Sequence, residues 1–171
     1  MDLKYSNSFL INLTIASIIP FLIWGPFFPD LIVSVSSLLF LFYLLKKNNF
    51  YYFNKKPFII FLLFCIISSL ISLEAKDISL SLKSSFFYLR IGVFSCFIWY
   101  LIDKDKSILT YFYYALVLCF SALVIDGYIQ YFTGINLLGF KISGIRVSSF
   151  FGEELILGSY LSRLFPLLFA L

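Results

Sequence analysis

Residues 107–132 read SILTYFYYALVLCFSALVIDGYIQYF. This stretch of 26 positions carries one charged side chain, Asp126. At about 1.5 Å of rise per residue, a helix of this length is long enough to cross a hydrocarbon core about 30 Å thick. Backbone N–H and C=O groups have no water to bond in hydrocarbon, so the stretch is expected to be a transmembrane helix rather than a strand of an open sheet. Five further apolar segments follow the same pattern, at residues 8–28, 31–45, 58–73, 84–102 and 155–171. The expected fold is therefore all-α, a polytopic transmembrane helix bundle of about six spans. Pro20, Pro26 and Pro29 mark the end of the first span, and a tight 29–30 junction would make the first two spans a hairpin.

Composition excludes several classes. The chain of 171 residues is 61% hydrophobic and 13% charged, too apolar for an ordinary water-solvated domain. A formal charge of +4 could suggest nucleic acid, but the lysines cluster at segment ends rather than along one face, so no nucleic-acid partner is expected. Cys65, Cys96 and Cys119 lie singly in apolar runs and the chain has no histidine, which argues against a zinc site or a disulfide framework. Asp103-Lys104-Asp105 has a D-x-D spacing, but in a tight turn it reads as solvated polar chain, so no metal is expected there. Asn12-Leu13-Thr14 matches a glycosylation sequon inside the first span, where it carries no meaning. No glycine-rich nucleotide loop is present, and no cofactor is expected.

Orientation follows from the basic residues. The connection KKNNFYYFNKK, residues 46–56, carries Lys46, Lys47, Lys55 and Lys56 around an aromatic interior suited to the membrane–water interface. Placing it in the cytoplasm also places Lys4, Lys104 and Lys106 there, and leaves Lys76, Lys83, Lys141 and Arg146 outside. The balance of seven to four favours a cytoplasmic N-terminus. The loops 74–83 and 133–154 then face outward, which in a Gram-negative bacterium is the periplasm.

Under that topology the charged residues within or beside spans gather toward the outer surface. Arg90 lies roughly 9 Å below it, Arg163 about 12 Å deep, and Asp126 roughly 28 Å above the inner end of its span. Arg146, Glu153 and Glu154 belong to the adjoining loop. Ionisable side chains within spans cost about 2.5–3.5 kcal/mol each on insertion scales, so they point to function or to obligatory pairing. The structural alternatives are an Arg90–Asp126 bridge, snorkelling of Arg163, a solvated Arg146, and Glu153 and Glu154 as acids at the N-terminus of the last helix. Gln130 follows Asp126 by four positions, and Ser159 precedes Arg163 by four, so each pair shares a helical face. Gly158 and Ser162 have the small-xxx-small spacing of close helix contacts.

The stretches DGYIQYFTGINLLG (126–139) and SGIRVSSFFGEELILGSYLSRLFPLLFAL (143–171) resemble the opening of the core domain shared by O-antigen ligases and related bacterial polysaccharide polymerases. In that family a helix carrying an acid and a Gln precedes G-x-N-x-x-G, a loop with R-x-S-x-x-F-G follows, and the next helix ends in L-P. The matching positions are Asp126, Gln130, Gly134, Asn136, Gly139, Arg146, Ser148, Phe151, Gly152, Gly158 and Pro166. SFFYLRIGVFSCFIWYLI (85–102), with Arg90, is similar to a further helix of that family. The motif match covers about a quarter of the chain. It divides the sequence into N-terminal transmembrane helices, 1–125, and the start of the core domain, 126–171. Family ligases carry a histidine in a later outer loop, so the chain is expected to be the N-terminal part of a longer protein.

The resemblance implies an inner-membrane glycosyltransferase with a periplasmic active face. It would move a glycan from undecaprenyl diphosphate to a hydroxyl on lipid A core or on another glycan, among membrane lipids. Arg146 and Arg163, with Arg90 behind them, would bind the diphosphate. Glu153 or Glu154 would act as base or orient an arginine, with Asp126 and Gln130 in support. The competing expectation is a carrier or flippase-like component that binds an anionic lipid or solute without chemistry, or an inactive piece.

Overall fold

A computed structural model describes the backbone of residues 2–144 and 146–171, and the side chains of residues 9–144 and 146–171. The side chain of Lys4, counted in the charge balance, lies outside the described residues. The architecture is all-α: α1 (Asp2–Ala16), α2 (Ile18–Trp24), α3 (Phe27–Lys47), α4 (Lys56–Ser72), α5 (Ile78–Lys104), α6 (Ser107–Thr133) and α7 (Leu157–Ala170), with a 3-10 turn at Ser149–Phe151. Among the described residues there is no named strand, only two isolated bridges, Ile135 with Lys141 and Ser143 with Arg146.

Three helices, α3, α5 and α6, are long and apolar enough to cross a membrane; α4, α7 and the stretch Phe9–Trp24 are apolar but shorter. Unlike a water-soluble bundle, the protein exposes large apolar side chains while burying several polar ones beside its apolar core. Ile60, Ile67 and Ile71 on α4 and Leu118 and Ile125 on α6 are exposed, while Asn12, Ser37, Ser72, Ser85, Asp126 and Gln130 are buried. Such apolar surface demands an apolar solvent, and the protein is a membrane protein.

The prolines place the helix boundaries differently from the expected 29–30 hairpin. Pro20 lacks the N–H that would bond the Ala16 carbonyl, and the chain breaks between α1 and α2 at Ser17. The second break falls at Gly25-Pro26, where Gly25 adopts φ 134°. Pro29 then sits in the first turn of α3, where a missing N–H costs nothing because those donors have no intrahelical partner. Pro57 starts α4 in the same way.

The chain forms two compact units, one of residues 1–29 and 107–171 and one of residues 30–106. In the first, α6 is the central helix. Ile19 of α2 packs with Leu116, Cys119 and Phe120 of α6, and Tyr160, Leu161, Leu164 and Leu168 of α7 cover them. The Tyr160 hydroxyl donates to the Ile19 carbonyl at 2.8 Å, and Asn12 of α1 donates to the Ser107 hydroxyl at 2.9 Å. The boundary expected at 125/126 falls inside the unbroken α6.

In the second unit α5 is central. Small residues bring α4 against it: Ser72 and Ser85 share a hydrogen bond of 2.7 Å, and the Phe61 ring lies over Gly92. Phe40 and Leu44 of α3 pack with Cys96 of α5, surrounded by Phe53, Phe58, Phe97 and Tyr100.

Candidate functional site

The polar loop after α6 is held by side chains of α6 itself. Asp126 and Gln130, one turn apart, are 1% and 0% exposed. Gln130 Oε1 accepts from the backbone N–H of Ser148 at 2.9 Å and of Ser149 at 2.7 Å. Its amide nitrogen donates to the Phe140 carbonyl at 3.2 Å and to the Ser148 hydroxyl at 3.3 Å. Asp126 accepts from the Leu137 N–H at 2.9 Å and from the Ser149 hydroxyl at 2.7 Å. Two neighbouring side chains thus satisfy both strands of one loop, which is why they survive burial in an apolar bundle.

Asn136 completes the arrangement from within the loop. Its amide donates to the Ser149 carbonyl at 2.7 Å, and its oxygen accepts from Leu138 and Phe140 N–H at 3.0 and 2.7 Å. Gly134 and Gly139 take φ of 79° and 88°, so the G-x-N-x-x-G spacing sets two left-handed turns around one anchoring amide. Ser149 also has positive φ, 52°, a strained value for a residue with a Cβ. Its N–H is fixed by Gln130 and its hydroxyl by Asp126, so the lock holds the backbone in that conformation.

The charged residues of the loop are not used by this lock. Arg146, Glu153, Glu154 and Arg163 are exposed, and among the described residues none of their side chains has a hydrogen-bond or ion-pair partner. Arg146 is placed by its backbone, whose N–H donates to the Ser143 carbonyl at 3.1 Å, two residues before the first locked serine. Glu153 and Glu154 follow the 3-10 turn and Gly152, but α7 begins only at Leu157. They therefore precede the first turn, which contains no acid, and the expected role as helix N-terminal acids is not realised. Arg163 lies on α7, one turn after Ser159, whose hydroxyl donates instead to the Ile156 carbonyl.

Arg90 has a different partner from the one considered. Its guanidinium donates to Asp30 at 2.7 Å and to the Ser34 hydroxyl at 2.8 Å, both on α3. This is the only ion pair among the described residues. Asp126 is engaged by Leu137 and Ser149, so an Arg90–Asp126 bridge is replaced by an α3–α5 contact and a helix–loop contact. Ser37 reinforces the first by donating to the Arg90 carbonyl at 3.0 Å. A cavity of about 380 Å³ lies beside Arg90, lined by Asp30, Ser84, Phe87, Tyr88 and Ile91. Arg90 Nε is buried and has no hydrogen-bond partner among the described residues.

Asp30 carries no signal in the sequence because it follows Pro29 and reads as a turn residue; only the helical start at Phe27 gives it an α3 face. Ser149 had no signal beyond its place between Ser148 and two phenylalanines. Among the described residues no group of acidic, cysteine or histidine side chains could hold a metal ion. Comparison of the chain with protein-family models, with curated proteins and with solved structures finds no match, so the reading of these sites rests on their chemistry.

Proposed function

We propose that the protein is a multi-pass glycan transferase of O-antigen ligase or polymerase type, using a glycan carried on undecaprenyl diphosphate. The observation that carries the reading is the locked loop. Four buried polar residues, Asp126 and Gln130 of α6 and Asn136 and Ser149 of the loop, hold its backbone. The side chains of Arg146, Glu153 and Glu154 are exposed and have no partner among the described residues, ahead of the helix bearing Arg163. A loop that spends Asp126, Gln130, Asn136 and Ser149 on its own rigidity keeps its cations positioned for an anionic ligand.

In this reading the chain crosses the inner membrane about six times with a cytoplasmic N-terminus, and the loop faces the periplasm. Arg146 and Arg163 bind the diphosphate by charge-assisted, two-point hydrogen bonds. Arg90 donates to Asp30 and Ser34 and is engaged within its own unit. A hydroxyl of lipid A core or of a growing glycan attacks the anomeric carbon as the bond to the diphosphate oxygen breaks. Glu153 or Glu154 takes the hydroxyl proton, and the lipid diphosphate leaves with the bonding electron pair. The glycan is already activated on its lipid, so no nucleotide or cofactor is required. A carrier that binds the same anion without transfer is favoured by one observation: among the described residues neither glutamate pairs with an arginine that would orient it.

The two are separated by reconstituting the full-length protein in bilayers with a lipid-diphosphate glycan and a glycan acceptor. Transfer is expected, falling about 10²–10³-fold in Arg146→Ala, with Arg146→Lys well below wild type because lysine cannot make the two-point contact. Absence of transfer alongside normal lipid binding would sink the enzyme reading.

A further inference from the structure

The lysine-rich end of the second unit contains a pocket that the proposed reaction does not use. It has a volume of about 240 Å³ and is lined by Tyr43, Leu44, Lys47, Asn49, Tyr51, Tyr52 and Tyr100. That is about eight water volumes at ~30 Å³ each, room for a phosphodiester and the atoms next to it. Three elements build it: the last turn of α3, the connection 48–55 and the end of α5.

Its phenols are ordered by one another. The Tyr100 hydroxyl donates to the Tyr43 oxygen at 3.2 Å, which leaves the Tyr43 proton available to a ligand. The Tyr52 hydroxyl donates to Asp103 at 3.1 Å, fixing the ring that separates this pocket from Trp99. Cations surround the same rings. Lys47 lines the pocket, the Lys55 ammonium lies 3.9 Å from the Tyr51 ring centre, and the Lys104 ammonium lies 5.8 Å from that of Tyr100. The two segments that build this end, 46–56 and 103–106, carry Lys46, Lys47, Lys55, Lys56, Lys104 and Lys106 with Asp103 and Asp105, six positive against two negative charges.

We propose that this pocket binds the headgroup phosphate of an anionic membrane phospholipid. Lys47 and the Tyr43 hydroxyl contact the phosphate oxygens, and Lys55 and Lys104 supply the surrounding positive field. A lipid rather than a soluble phosphate ester is indicated because the α3 wall continues into Phe42 and Leu45, exposed apolar side chains on which acyl chains can lie. The tyrosines and Trp99 put this end at headgroup depth, whichever side of the membrane it faces. The inference is independent of the glycan-transfer reading.

The test is lipid retention. The protein is reconstituted with equal amounts of phosphatidylglycerol and phosphatidylcholine, purified in mild detergent, and its bound lipid is measured by native mass spectrometry. Phosphatidylglycerol should be retained in preference. Each of Lys47→Gln, Lys55→Gln and Lys104→Gln should weaken retention about fivefold, and the triple variant about a hundredfold. Tyr43→Phe, which alters no charge, should also weaken it. Lys76→Gln/Lys83→Gln, which removes two charges from a different segment, should leave it unchanged. Equal retention of both lipids, full retention by the triple variant, or equal loss in the Lys76/Lys83 control would overturn the proposal. So would displacement of the lipid by millimolar inorganic phosphate, which would make the ligand a soluble phosphate. Helicity by circular dichroism verifies that each variant is folded.

Discussion

Replacing Gln130 by leucine tests the loop lock most directly. Leucine preserves the apolar volume on α6 but removes an acceptor for two backbone amides, Ser148 N–H at 2.9 Å and Ser149 N–H at 2.7 Å. Both serines are buried, and among the described residues no other acceptor serves those amides. The Phe140 carbonyl is not orphaned, because it still accepts from Asn136 N–H at 2.9 Å. Each buried amide left unpaired costs about 1–3 kcal/mol, so the substitution should destabilise the loop by about 2–6 kcal/mol. The positive φ of Ser149 adds to this, since its restraint is lost together with the bond. The assay is hydrogen exchange of the detergent-solubilised protein, read at residues 133–152. Exchange there should accelerate by about 30-fold or more, while α4 and α5 remain protected. Tyr128→Phe, on an exposed face of the same helix, serves as control. If Ser148 and Ser149 stay as slow in the leucine variant as in this control, the lock does not hold the loop.

Three further outcomes follow from particular contacts. Asp126→Leu strands the Leu137 amide and should cost several times more than Asp30→Asn; both are read as shifts in a denaturation midpoint. Asp30 is 59% exposed and its pair with Arg90 is screened by solvent, which limits that loss to about 1 kcal/mol or less. Gly92→Ala should destabilise the α4–α5 contact by about 1–3 kcal/mol, because a Cβ there would meet the Phe61 ring at 2.5 Å, and Phe61→Leu in the same chain should recover part of the loss. Burial, and then the hydrogen bond to Asp103, raise the Tyr52 phenol above its ordinary value of 10.0. The folded state therefore holds that proton more tightly, so stability should fall as pH rises past about 10 and fall less steeply in Tyr52→Phe, measured by alkaline denaturation.

The residues that were legible in advance are those whose meaning is local. The four-residue spacing of Asp126 and Gln130 puts them on one face of a helix, and the glycines of G-x-N-x-x-G announce turns, as found at Gly134 and Gly139. The partner of Arg90 was not legible in this way. Asp30 lies 60 positions away, and nothing in either neighbourhood marks the other. Pro29 misled in the opposite direction: a proline reads as a break, yet in the first turn of α3 it interrupts no hydrogen bond. Glu153 and Glu154 failed as helix-start acids because α7 begins three residues beyond Glu154.

The all-α, membrane-embedded character of this protein is determined by sequence alone. Long apolar runs leave their backbone no hydrogen-bond partner except itself, and that constraint acts residue by residue along the chain. Which polar group answers which is decided only in the tertiary structure. Asp126 could have met an arginine, but its geometry gives it to a loop amide and a serine hydroxyl, while Arg90 closes on Asp30. Burial in a low-dielectric interior makes each of those choices obligatory, and packing between distant segments selects the partner.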